Sequence, residues 1–158
     1  IIIKAFKIFL KKYPKFKLLI IGHGKDYKKL KNLSFNLKLN PNIKFLGRVT
    51  KLKKYYIKSK IFVFPSLYEG LPNALIDSLN YNLPAISTEC SGAKDILGNN
   101  YREFVSHDDH EILAKKMIYI IDNYKSKISS MTKNRKNLDR FVVKNQSLKY
   151  LNYCKEIL

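Results

Sequence analysis

The chain has 158 residues, 46% of them hydrophobic, enough for one packed domain and too apolar for intrinsic disorder. Its 31 basic and 12 acidic residues give a formal charge of +19, which points to an anionic partner or to lysine written over a solvated surface by an AT-rich genome. No apolar run approaches the ~20 residues needed to cross a bilayer, and the start, IIIKAFKIFL, lacks the basic leader and cleavage site of a signal peptide.

Ile1, Ile2, Ala5, Phe6, Phe9 and Leu10 recur at helical spacing with lysines between them, and Tyr13-Pro14 ends that helix. FKLLIIG then predicts a buried strand closing on Gly22. Tyr27, Leu30, Leu33 and Leu37 mark a second helix, broken at Pro41-Asn42. IKFLG (43–47) is a strand, KLKKYYIKS (51–59) a short basic helix, and IFVFPS (61–66) a strand stopped by Pro65. Leu71, Leu75, Ile76 and Leu79 share one helical face, with Pro72 suited to the first turn. LPAIST (83–88) is a strand, GAKDIL a short helix and REFVS (102–106) a short strand. DDHEILAKKMIYIIDNY is a helix with Ser106 or Asp108 as N-cap. ISSMTKNRKNLDRF and KNQSLKYLNYCKEIL predict two further helices, so residues 127–158 form a C-terminal helical segment of a single domain spanning 1–158.

Short apolar strands alternating with helices predict an α/β fold: a Rossmann-like three-layer domain with a mostly parallel sheet and helices on both faces. In such sheets ligands bind beyond the carboxyl ends of the strands. That rule selects Gly22-His23-Gly24, Gly47-Arg48, Ser66 to Gly70, and Thr88 to Gly92.

Gly22-His23-Gly24 has the form of a phosphate-binding turn, but Tyr27 stands where the dinucleotide fingerprint needs a small residue. A plain tight turn is equally consistent with it. The stretch PSLYEGLPNALID is more informative. No acid occurs from Tyr27 to Tyr68; then Glu69 appears, and Asp77 follows eight residues later. Free amides of Gly70, Leu71 and their neighbours at a helix start make an anion site. A carboxylate there would repel a phosphate, yet it accepts hydrogen bonds from sugar hydroxyls. Both acids could instead offset the helix dipole or pair with surface lysines.

The remaining polar groups carry less. Cys90 and Cys154 do not form a disulfide framework, which points to a reducing compartment. His107 and His110 frame Asp108-Asp109, which a helix N-terminus explains better than a metal site. Tyr55-Tyr56 with nearby lysines could be a nucleic-acid patch or a short helix with its aromatic side packed.

SKIFVFPSLYEGLPNALIDSLNYNLPAIST closely resembles the signature of family-4 retaining glycosyltransferases with the GT-B fold. AFKIFLKKYPKFKLLIIGHG, NIKFLGRV and SGAKDIL resemble the family's flanking units, so the likeness spans about residues 1 to 125. It implies the C-terminal donor-binding half of such an enzyme, binding a nucleoside-diphosphate sugar, with UDP the commonest base. On that resemblance Glu69 is the catalytic residue, binding the donor sugar, and Asp77 holds the ribose. Gly70 and Leu71 turn their backbone amides to the sugar and diphosphate, and Ser66 and Pro72 are substrate-binding. Gly22, His23 and Gly24 form the turn near the donor, Arg48 sits close to the base, and Thr88 and Gly92 line the opposite side. The second acid is Asp where Glu is usual, and Asn80 and Asn82 stand where small residues are common.

The resemblance further implies an acceptor-binding N-terminal domain and a diphosphate-neutralising Arg and Lys upstream of Ile1. It implies no cofactor and no metal, and a place in polysaccharide, lipopolysaccharide or glycolipid assembly. The expected location is cytoplasmic, peripheral on the inner face of the plasma membrane, whose anionic surface the basic charge would suit. The alternatives are a non-catalytic nucleotide-sugar-binding domain and a basic nucleic-acid-binding module. The chain has no recognised reading motif for the latter, so no nucleic-acid partner is expected.

Overall fold

The computed structural model describes residues 1–135 together with Leu138 and Phe141. The elements run α1 (Ile2–Leu10), β1 (Leu18–Ile21), α2 (Tyr27–Asn36), β2 (Ile43–Gly47), α3 (Lys53–Lys58), β3 (Phe62–Phe64), α4 (Asn73–Asn80), β4 (Ala85–Thr88), α5 (Ser91–Leu97), β5 (Phe104–Val105), α6 (His110–Asp122) and α7 (Tyr124–Arg135). The alternation predicted from sequence is present, and every strand pairing is parallel. The last predicted helix, KNQSLKYLNYCKEIL, lies outside the described residues.

The strands pair as two sets, β1 with β2, and β3–β4–β5. Alternate side chains along the second set face opposite ways, as a pleated strand requires. Ile61, Val63, Ile86 and Val105 join one cluster with Ile3, Phe6 and Phe9 of α1 and Leu113, Met117 and Ile120 of α6. Phe62, Phe64, Ala85 and Phe104 join a second cluster with Leu75 and Leu79 of α4 and Ala93 and Ile96 of α5. Helices therefore cover both faces. Leu18, Ile20 and Phe45 belong to the first cluster, so one core ties the two strand sets together. β4, paired on both sides, is buried at every position although it carries Ser87 and Thr88, whereas the wholly apolar β3 is half-buried throughout.

Two helix ends show how the chain turns without glycine. Lys38 (φ +57) and Asn82 (φ +55) take left-handed backbone after α2 and α4. After α4, the Leu83 amide donates to the Ser78 carbonyl at 3.0 Å and the Asn82 amide to Leu79 at 2.9 Å, the paired bonds of a Schellman cap. Asn tolerates that conformation better than most residues, which accounts for Asn82 at a position where a small residue is common. Pro72 occupies the N-cap of α4, one residue ahead of the first turn.

The N-cap of α6 differs from expectation. Asp109, not Ser106 or Asp108, accepts the Ile112 amide at 2.8 Å. Asp108 is turned aside, taking the Ser106 hydroxyl at 3.3 Å and His107 Nε2 at 3.3 Å. Adjacent aspartates look alike in sequence; only the backbone entry angle decides which one reaches the third amide.

α1 and α6 are also joined at their ends. Lys12 Nζ meets both carboxylate oxygens of Asp122, at 2.9 and 2.8 Å, and the Tyr13 hydroxyl donates to the same group. The Lys12 and Tyr13 hydrogen bonds hold the Asp122 carboxyl below its ordinary range. A depressed carboxylate stabilises the fold above its unfolded pKa and loses that contribution as pH falls through the folded value. Thermal midpoints of the wild type should therefore drop more than those of Asp122→Asn between neutral pH and about pH 3. Parallel pH profiles would remove this role.

Candidate functional site at the carboxyl ends of the strands

The β3–α4 loop, 65–72, carries the acid that stood out in the sequence, and the structure fixes its backbone while leaving its side chain free. The Gly92 amide donates to the Glu69 carbonyl at 3.0 Å, and the Ser91 hydroxyl donates to the same oxygen at 3.3 Å. Both come from the first residues of α5. One step closer to the sheet, the buried Thr88 hydroxyl donates to the Ser66 carbonyl, tying the end of β4 to the loop after β3. Ser66 closes the turn by donating to the Tyr68 carbonyl at 3.2 Å.

Gly92 is needed here for space. A Cβ at this position would lie 2.4 Å from the Gly70 carbonyl oxygen and 2.6 Å from that of Glu69. Both are backbone atoms that cannot swing away. Gly70 is the opposite case: nothing lies within 4 Å of the Cβ it lacks, so its open side faces solvent.

Among the described residues, the Glu69 carboxylate takes part in no ion pair, and neither does Asp77. Pairing with the described lysines therefore does not account for either acid. No backbone acceptor among the described residues takes the amide hydrogens of Gly70 or Leu71. Glu69, Gly70, Leu71 and Asp77 are all exposed. A carboxylate and unfilled amides are thus presented side by side, ahead of the positive end of α4.

The structure gathers Ser66, Glu69, Gly70, Leu71, Pro72, Thr88 and Gly92 around this loop, with Asp77 further along α4. A second group lies beyond β1 and β2. The Gly22 amide (φ +123) donates to the Gly47 carbonyl at 2.7 Å, joining the two strand ends. His23 stacks on Tyr27, with ring centroids 5.0 Å apart, and Arg48 is exposed directly after Gly47. Tyr27, the residue that breaks the dinucleotide fingerprint, thus serves as a platform for His23 and packs edge-on to Phe45 at 5.7 Å. No hydrogen bond, ion pair or ring contact among the described residues links this group to Glu69.

An open recess of ≈ 280 Å³ lies beyond β3, β4 and β5, lined by Ser66, Leu67, Thr88, Glu89, Val105, Ser106 and His107. Ser106 and His107 were missed in the sequence. The carboxyl-end rule applied equally to β5, but this strand is two residues long and its exit looks locally like an ordinary helix start. Cys90, between Glu89 and the brace, is a buried free thiol.

The fold is thus a parallel α/β domain that presents an exposed carboxylate beside amides that no described backbone group fills. The family model described as Glycosyl transferases group 1 matches residues 1–138, and the chain belongs to that family. It is 44% identical over 97 residues to an uncharacterized glycosyltransferase of Methanocaldococcus jannaschii, covering 61% of this chain and 24% of that protein. It is 32% identical over 142 residues to an α-1,4-N-acetyl-D-galactosaminyltransferase of Campylobacter jejuni that acts on a diphospho-undecaprenol-linked glycan, covering 86% of this chain and 39% of the relative. Among solved structures, a Staphylococcus aureus TarM variant crystallised with UDP, α-GlcNAc-glycerol and fondaparinux superposes with a TM-score of 0.84 at 22% identity, over 95% of this chain and 31% of that one. The chain thus spans well under half the length of these relatives, and its fold is that of one half of a GT-B glycosyltransferase. No helix among the described residues is long and apolar enough to cross a membrane.

Proposed function

We propose that this chain binds the nucleoside-diphosphate sugar, UDP-linked in the first instance, of a retaining glycosyltransferase that builds a polysaccharide or glycolipid. The observation that carries the reading is the loop at Glu69, whose main chain is pinned by Ser91 and Gly92 while its carboxylate and the Gly70 and Leu71 amides stay open. The amides suit the diphosphate, whose charge grows as the sugar leaves. The carboxylate suits the sugar hydroxyls and the positive charge developing on the ring. Asp77 takes the ribose, Arg48 and the Gly22–Gly24 turn lie toward the nucleotide, and transfer needs no metal. The acceptor hydroxyl is bound by a separate N-terminal domain, so these residues alone bind donor without transferring it. The Campylobacter relative's lipid-linked acceptor and the UDP bound by the TarM variant support the substrate classes.

Calorimetric titration of UDP, GDP and their sugar conjugates into the full-length enzyme tests this. Nucleotide binding should survive EDTA, and Asp77→Ala should weaken it about tenfold or more, the scale of one charge-assisted hydrogen bond. A full-length protein that binds no nucleotide would overturn the reading.

A further inference from the structure

We propose that the outer face of α3, with the C-terminal end of α4, is a docking face for an anionic lipid surface. α3 is six residues long and its orientation is fixed by one side chain. Tyr56 is buried, stacks on Tyr81 with centroids 5.3 Å apart, and donates its hydroxyl to the Ala74 carbonyl of α4 at 3.3 Å. With Tyr56 turned inward, the opposite face must point out. That face holds Lys54 and Lys58, with Ile57 beside them and Lys53 at the edge, all exposed. Lys53 and Lys54 precede Ile57 by four and three residues, so they flank it on the helix surface. Lys51 and Lys60 add exposed charge at the two ends.

Ile57 decides what kind of partner this face fits. It is 61% exposed, an apolar side chain held in water among ammonium groups. Tyr81, 38% exposed, stands at the rim. Lysines around a protruding aliphatic residue with a tyrosine at the edge are the elements of an interfacial anchor: the charges meet lipid headgroups and the apolar tip enters below them. A nucleic-acid backbone would use the lysines and leave Ile57 without a role. α4, packed against Tyr56, carries one acid, Asp77, which acts electrostatically on Tyr56; the stretch from Tyr27 to Tyr68 has none.

Other basic surfaces lack this combination. Lys4 and Lys7 of α1 and Lys11 just after it are exposed, but the apolar residues of that helix pack against the core. Phe35 on α2 is 69% exposed but sits beside Asn32 and Asn36, with Lys31 the one lysine at three or four residues before it. The inference does not depend on the donor reading, and its test uses no nucleotide.

The test is co-sedimentation of the full-length protein with vesicles of pure phosphatidylcholine and of equal parts phosphatidylcholine and phosphatidylglycerol. Binding should need the anionic lipid and weaken with salt. Combining Lys53→Glu, Lys54→Glu and Lys58→Glu should lower partitioning about tenfold or more. Ile57→Ser, which changes no charge, should lower it several-fold with an unchanged circular dichroism spectrum. The charge-matched set Lys4→Glu, Lys7→Glu and Lys11→Glu, and Phe35→Ser, should each change it less than about twofold. Equal loss from the α1 set would show that net charge acts without a defined face. Wild-type binding by Ile57→Ser, or binding to a nucleic-acid duplex in place of vesicles, would also overturn the proposal.

Discussion

Full-length enzyme carrying Glu69→Ala should transfer sugar about 10²–10³-fold more slowly than the wild type, the usual scale for losing one transition-state contact. The structure makes this substitution unusually easy to interpret. The Glu69 carboxylate takes part in no ion pair among the described residues, and the loop is held through its carbonyl, which alanine retains. The braces from Ser91 and Gly92 therefore survive, and thermal stability should move by no more than about 0.5 kcal/mol, as for an ordinary surface change. If Glu69 meets the sugar and not the nucleotide, UDP should bind the variant as it binds the wild type while kcat falls. A variant that transfers at the wild-type rate sinks the role given to Glu69.

Gly92→Ala should be as damaging for a different reason, and the two can be told apart. The new methyl would come within 2.4 Å of the Gly70 oxygen and 2.8 Å of the Gly70 carbonyl carbon. Since those atoms are backbone, the whole Glu69–Gly70 segment has to move. Misplacement on the ångström scale costs about a hundredfold in rate, and overpacking of this kind costs about 1–3 kcal/mol in stability. Unlike Glu69→Ala, this change displaces the Gly70 and Leu71 amides, so UDP affinity should fall with the rate. Gly70→Ala is the internal control. Its added methyl meets no protein atom within 4 Å, so any loss of function there reports the approach of the ligand. Wild-type UDP affinity in Gly92→Ala would show that the brace does not position the amides.

Much of the fold was legible because its signals are local. Apolar runs such as IFVF and the helical face of Leu75 and Leu79 declare themselves within a few residues. What was hidden depends on residues distant in the chain. Strand pairing into two sets cannot be read from any one strand. The contact between Gly92 and Glu69 crosses from one loop to the next, and sequence suggested only that Gly92 lined the far side of the pocket. Ser106 and His107 enter the recess because β5 lies beside β4, which no local pattern announces. The α6 cap shows the limit at short range: Asp108 and Asp109 are chemically the same, and only their placement against the Ile112 amide and the Ser106 hydroxyl separates them. Asn82 runs the other way. A departure from the family pattern in sequence becomes, in the structure, a residue well suited to its left-handed turn.

The Tyr56–Tyr81 stack has a thermodynamic consequence. α3, which carries the basic outer face, is fastened by Tyr56 to α4, the helix that bears Asp77 and begins at the Glu69 loop. If lipid contact shifts that seam and so changes donor affinity by some factor, then bound donor must change lipid affinity by the same factor, because the two equilibria share one cycle. Substrate supply and residence at a membrane would then be a single coupled variable, transmitted through one aromatic pair.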